Sequence, residues 1–180
     1  MQRTITNIIC TLFATVILIS CGDGVSLQRY YVDHQEAKNF ISQDFPLSMI
    51  EIDKSNFTPE QEEAYSSVNK LNFLGYKANA TDAETYQTEL TKVKTILSDS
   101  KYNDLMEFSD KGNKILVKYI GDDDEADEVI VFGSAKEMGF GIVRILGNDM
   151  NPEKMITLID AFQKANVEES QVQDIMNFFK

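Results

Sequence analysis

Acid–base, nucleophilic and metal chemistry each need particular side chains, and this 180-residue chain supplies one histidine, two cysteines and 29 carboxylates. Nucleophilic catalysis couples a hydroxyl or thiol to a base that a third group orients. With one imidazole, His34 between Asp33 and Gln35, that set cannot be assembled in the usual way. His34 itself reads as an exposed polar residue close to the N-terminal tether. Zinc sites built on His and Cys fail on the same count. Carboxylate pairs could still meet by folding, although nothing in the spacing of the acids predicts a pair.

The densest charge is Gly121-Asp122-Asp123-Asp124-Glu125-Ala126-Asp127-Glu128. Oxygen ligands this close could hold Ca²⁺, but an EF-hand loop needs glycine at its sixth position and a bidentate glutamate at its twelfth. Counting from Asp122, those positions hold Asp127 and Gly133, so the run reads as a solvated loop joining two strands. Gly139-Phe140-Gly141-Ile142-Val143-Arg144 begins like a dinucleotide fingerprint, yet arginine stands at the third glycine and the pattern is that of a strand. Gly141 is therefore expected to be a bulge or a close packing contact. Gly133-Ser134-Ala135-Lys136 lacks the flanking phosphate-loop residues and reads as a turn. The aromatic group Tyr30, Tyr31, Phe40 and Phe45 is either a partner-binding surface or an N-terminal arm wrapping the core, and burial is the default for such residues. The expectation is thus no catalytic residue, no metal and no cofactor, with any ligand-binding residues unassigned.

The N-terminus is more specific. Arg3 is the only charge before Asp23, and Ile8 to Ile19 form an apolar run broken only by Cys10, Thr11 and Thr15. That is the charged start and short apolar centre of a secretory signal. A spanning helix needs about 20 apolar residues, and this run stops short of that. Leu18-Ile19-Ser20-Cys21 resembles the lipobox of bacterial lipoproteins, which implies cleavage before Cys21 and lipidation of its thiol; the alternative is an ordinary secretory signal with an incidental cysteine. Two or three acyl chains, at about 0.8 kcal/mol per buried methylene, make such an attachment stable. Cys10 would leave with the signal and Cys21 would carry lipid, so the mature chain would have no thiol and no disulfide.

Removing residues 1–20 takes away Arg3 and leaves 16 basic residues of the original 17 against 29 acidic ones, a net charge of −13. Such a chain is repelled by phosphate backbones, so nucleic acid is not an expected partner. Its size suits one domain with a core of its own.

The elements that would position these residues are partly marked by their ends. Residues 21–28 are expected to be a tether, spanning at most about 25 Å. A helix is expected among Ala37, Phe40 and Ile41, ending near Pro46, and a first strand over Leu47 to Ile52. Thr58-Pro59-Glu60-Gln61 is a capping box opening a helix to about Asn69, and Thr81-Asp82-Ala83-Glu84 opens another. The second carries Tyr86, Leu90, Val93 and Leu97 as one stripe. Leu71 to Tyr76, Tyr102 to Phe108, Lys114 to Ile120, Glu128 to Phe132 and Phe140 to Leu146 read as strands bounded by turn residues. Asn151-Pro152 opens a helix with Met155, Ile156, Ile159 and Phe162 inward, and Val172, Ile175, Met176 and Phe179 suggest a last short amphipathic helix. These elements predict an α+β fold: a mostly antiparallel sheet of about six strands in the order β-α-β-α-β-β-β-β-α, with helices on one face. The predicted organisation is a signal over 1–20, a tether over 21–28, one domain over 29–165 and a C-terminal helix over 166–180.

Several segments together resemble a known family: Ser26-Leu27-Gln28-Arg29-Tyr30-Tyr31-Val32, Lys70-Leu71-Asn72, Tyr102-Asn103-Asp104-Leu105-Met106, Lys118-Tyr119-Ile120-Gly121-Asp122, Gly139-Phe140, Arg144-Ile145-Leu146-Gly147 and Met150-Asn151-Pro152. They are similar to the Bacteroidetes family catalogued as domain of unknown function 4252, in its flavobacterial form, over about residues 26 to 165. The resemblance implies a small exported protein, often lipidated, and brings no catalytic or binding residue with it.

The functional expectation is a lipid-anchored cell-envelope protein, held to the membrane through Cys21, that is not an enzyme and makes protein contacts at the envelope. The alternative is a carrier or sensor with a small-ligand pocket between sheet and helices, for which a pocket of a few hundred Å³ would speak. A hydrolase using a carboxylate pair stands third, and would require Asp or Glu side chains converging in a cleft.

Overall fold

The computed structural model describes residues 26–50, 52–79, 82–110, 113–164, 175 and 177–179. Helix α1 (Leu27–His34) starts where the Ser26 hydroxyl accepts a hydrogen bond from the Arg29 N–H, and it buries Leu27, Tyr30 and Tyr31 along one stripe. Strand β1 (Phe40–Pro46) follows, then a single 3-10 turn over Leu47–Met49. Helix α2 (Pro59–Ser67) opens on a complete capping box between Thr58 and Gln61, with proline in its first turn. It runs directly into β2 (Val68–Lys77). Helix α3 (Ala83–Leu97) is capped by Asp82, whose carboxylate accepts from the Thr85 N–H. Strands β3 (Asn103–Asp110), β4 (Asn113–Gly121), β5 (Ala126–Ala135) and β6 (Gly139–Met150) form a meander. Helix α4 (Pro152–Lys164) begins where the Asn151 side chain accepts from the Lys154 N–H at 3.0 Å.

All six strands join one sheet in the order β1-β2-β6-β5-β4-β3, every pair antiparallel. The α+β class and the six-strand antiparallel sheet are those predicted. The helices, however, pack on both faces rather than one. Side chains alternate across a strand, and the alternation sorts the core into two clusters. Leu74, Ile130, Phe132, Phe140 and Ile142 pack on the first face against Leu27, Tyr30 and Tyr31 of α1 and Tyr86, Leu90, Val93 and Leu97 of α3. Their strand neighbours Val117, Val129 and Ile145 pack on the second face against Ala64 of α2 and Met155, Leu158 and Ile159 of α4. The physical reason lies in the central strands, whose runs Val129–Phe132 and Ile142–Val143 are apolar without interruption, so both faces need cover.

Four local expectations are corrected by the same physics. Gln28 and Leu27 belong to α1 rather than to a tether, because Leu27 is 1% exposed in the first core. The segment expected to be helical up to Pro46 is strand β1, paired from Phe40 opposite Tyr76 to Pro46 opposite Lys70. Pro46 lacks an N–H to continue the ladder, and the chain turns there to bury Leu47, so Leu47 to Ile52 is not the first strand. On α4 it is Leu158, 1% exposed, that packs inward where Ile156 was expected, while Ile156 is only half-buried. The predicted C-terminal helix lies mostly outside the described residues, although 175 and 177–179 are helical.

Candidate functional site

Rows of residues that face each other across the strands show where the second face is left open. Leu71, Ile145, Val129 and Tyr119 form one row, and α2 and α4 cover it. Two residues further along each strand, Phe73, Val143, Val131 and Val117 form the next. The row beyond is Ile41, Gly75, Gly141, Gly133, Ile115 and Phe108, with apolar side chains on the outer strands and three glycines in the middle. Adjacent strands lie about 4.8 Å apart, so three glycines abreast bare a strip of backbone about 10 Å long.

Gly141 and Gly133 of this strip floor a groove of about 410 Å³, walled by Phe73, Ile115, Val131 and Val143, rimmed by Met138 and touched by Phe179, whose ring lies over Gly75. Its polar side chains among the described residues are Asn113, Lys114 and Ser134, and no Asp or Glu among them lines it. The floor is filled unevenly. A Cβ on Gly75 would come within 3.0 Å of Phe73 and of Phe179 Cζ, and one on Gly141 within 3.2 Å of the Phe73 ring. One on Gly133 would meet nothing within 4 Å. Glycine inside a strand weakens it and marks the close approach of another group; here that group is an aromatic ring over two glycines and open space over the third. Gly139 also lines the groove, and its φ of +125° and the Tyr76 carbonyl oxygen that a Cβ would strike admit no side chain there. Exposed Met138 and Phe108, 53% and 57% accessible, extend the apolar surface past the rim.

The first face carries the buried polar groups, and these fasten α1. Arg144 donates from Nε to Glu128 Oε1 at 2.6 Å and from Nη2 to Oε2 at 2.7 Å, and its guanidinium lies 5.3 Å from the Tyr31 ring centroid. The Tyr31 hydroxyl donates to the Ile142 carbonyl at 2.7 Å, and burial pushes its pKa up, which keeps it a donor. One residue earlier the Tyr30 hydroxyl donates to Glu89 of α3 at 2.8 Å. Lys92 Nζ lies 2.6 Å from the other Glu89 oxygen, and His34 Nε2 is 3.4 Å from the carboxylate. The His34 ring stacks on Tyr30 at 4.0 Å, with Nδ1 2.7 Å from the Tyr30 carbonyl, which can only accept, so Nδ1–H is the donor in that bond. Burial would raise the Glu89 carboxyl, but the hydrogen bonds from Lys92 and Tyr30 and the charges of Lys92 and His34 outweigh it and hold the pKa below its ordinary value. These groups are consumed by one another and point into the seam between α1, α3 and the sheet, which makes them a fastening rather than an open reaction centre.

The residues singled out in the sequence fall as follows. His34 is part of this fastening, its side chain 19% accessible, and so is not the exposed residue expected. The acidic run is exposed from Asp122 to Glu125, with Asp123 accepting from the Tyr119 hydroxyl at 2.7 Å, but its last member Glu128 is buried against Arg144. No three His, Cys, Asp or Glu side chains cluster as metal ligands among the described residues. Gly141 is the close packing contact anticipated, whereas Gly133 to Ala135 lies within β5, and the turn comes at 136–138. Tyr30 and Tyr31 are buried, and Phe40 and Phe45 half-buried. Cys21 lies outside the described residues. No helix among the described residues is long and apolar enough to cross a membrane. The glycine row is what the sequence reading missed. Its signal was present, three glycines inside strand patterns, but only the pairing register sets them abreast.

A family model, Domain of unknown function (DUF4252), matches residues 30–158, from the second turn of α1 to the middle of α4. The chain belongs to this family. The DUF4252 match spans the whole sheet, both helix layers in part, the α1 fastening and nearly all of the groove. No curated protein and no solved structure matches the chain.

Proposed function

We propose that the chain is a lipid-anchored cell-envelope protein of non-enzymatic role, whose working surface is the glycine-floored groove and whose partner is an apolar segment of another envelope protein. The observation that carries the reading is the groove itself: about 410 Å³ of largely apolar space on a part of the sheet face beyond the cover of α2 and α4. Exposed apolar surface that is contiguous and bordered by polar groups marks interaction sites on soluble domains. The anchor rests on the lipobox-like Leu18-Ile19-Ser20-Cys21 and on the apolar leader before it. Geometry supports the combination. The described chain begins at Ser26, and the Leu27 N–H donates to the Tyr102 hydroxyl at the end of the sheet where β3 starts. The groove lies toward the other end of the strands and on the other face. A tether from Cys21 would therefore hold the far end of the domain near the lipid and leave the groove free.

Two measurements test the reading. Replacing Cys21 with serine should release the protein from membranes into the soluble fraction; a Cys21→Ser chain that stays in the membrane fraction overturns the anchor. A photo-crosslinking residue at Met138, on the groove rim, should trap one envelope protein in native membranes, while the same residue at exposed Glu125 should not. No difference between the two positions would overturn the assignment of the groove as the partner surface.

A second reading has its own support: 300–1,000 Å³ is the usual size of a small-molecule site, and the groove falls within it. An apolar small ligand rather than a protein would then be recovered with the purified domain, detectable by mass spectrometry of an organic extract. A carboxylate hydrolase, the third possibility, gains no support from a groove that no carboxylate lines among the described residues.

A further inference from the structure

We propose that Phe179, at the end of the chain, is a resident and displaceable occupant of the groove, and that the ligand taken there presents a flat aromatic ring to the same place. The inference rests on the reading of the groove as a binding surface and names how that surface is regulated. The Phe179 ring lies against Gly75, where a Cβ would come within 3.0 Å of Phe179 Cζ and of the Phe73 ring. Ring and glycine fit only because no side chain intervenes. The other end of the floor, at Gly133, has nothing within 4 Å. One ring thus fills part of a space built for more, and a ligand can gain a foothold over Gly133 before Phe179 leaves. Phe179 is itself only half-buried, next to Phe178 with ring centroids 5.2 Å apart, and it belongs to neither core cluster. Its departure leaves both helix–sheet interfaces intact.

The linkage sets the scale of the competition. An occupant carried on the same chain acts at an effective concentration of the order of millimolar, enough to keep a weakly held ring in place, yet one that a ligand of sub-millimolar affinity with more apolar area overcomes. Any external ligand then binds more weakly to the intact chain than to a chain without the ring.

The test uses the mature chain and the neutral solvatochromic dye Nile red, titrated by fluorescence. Phe179→Ser should tighten dye binding about threefold or more, and Phe179→Trp should return it to the parent value or below. Unchanged binding in Phe179→Ser overturns the occupancy; weaker binding overturns it too, because the ring would then be a wall of the site rather than a competitor. Gly133→Val, combined with Phe179→Ser, should abolish the gain by filling the floor. If the dye still binds the double variant as tightly as Phe179→Ser, it is not in the groove, and the groove reading itself fails. Circular dichroism of each variant confirms that the sheet is retained.

Discussion

Glu89 shows how a single residue couples the fastening of α1 to pH. Its carboxyl titrates below the ordinary value of 4.5 in the folded chain, because Lys92, Tyr30 and His34 favour the charged form more than burial disfavours it. A depressed carboxyl contributes stability above its unfolded pKa, and that contribution is lost as pH falls through the folded one. The melting temperature of Glu89→Gln should therefore lie below that of the parent near neutrality, and the gap should close as pH drops beneath the usual carboxylate range. A gap that stays constant down to pH 3 would contradict the assignment. Arg144 and Glu128 pose a different case, since both are buried and each satisfies the other through two hydrogen bonds. Removing only one partner, as in Glu128→Ala, should cost about 3–5 kcal/mol in chemical denaturation, whereas Glu128→Met with Arg144→Met should cost far less. Equal losses in the two variants would show that the shape, not the unpaired charge, is at issue.

At the scale of elements, what could be read from the sequence follows the range of the signals. The capping box at Thr58 and Gln61 is a contact across three residues and appears as written. The α3 stripe of Tyr86, Leu90, Val93 and Leu97 is also local, and all four are buried. The strand expected over Leu47 to Ile52 failed because alternation there is set by one long contact, Leu47 entering the second core after Pro46 ends β1. Coverage of both sheet faces was legible in the unbroken apolar runs of β5 and β6, but period two was weighed alone. The groove lay further out of reach, since Gly75, Gly141 and Gly133 are separated by up to 66 positions and become neighbours only through pairing. Two glycines make the contrast measurable. Gly139→Ala puts a Cβ against the Tyr76 carbonyl at φ +125° and should destabilise by about 2 kcal/mol or more. Gly133→Ala meets nothing within 4 Å and should be neutral or slightly stabilising, by up to about 1 kcal/mol. Equal losses at the two positions would refute this view of the floor.

For the whole molecule, two cores back to back on one sheet mean that neither helix layer can be lost alone without exposing half of the strands. Leu158 of α4 and Val93 of α3 sit in different cores and are 1% and 0% exposed. Leu158→Ala should cost about 2–5 kcal/mol, and unfolding should remain a single transition when followed by near-ultraviolet signal and by hydrogen exchange of β5. Early exchange of the α4 side alone would indicate two separable layers. The strand order carries a further consequence, in time rather than in energy. β2 pairs on its inner side with β6, so residues 68–77 wait for residues 139–147. The meander from β3 to β6 can close by neighbouring hairpins, but the N-terminal pair β1 and β2 joins only after β6 is present. Contacts that distant in sequence slow folding. A chain threaded through a membrane from its N-terminus would thus present an unfinished sheet edge until its last strand arrived, and the helix that seals the second core, α4, follows immediately behind that strand.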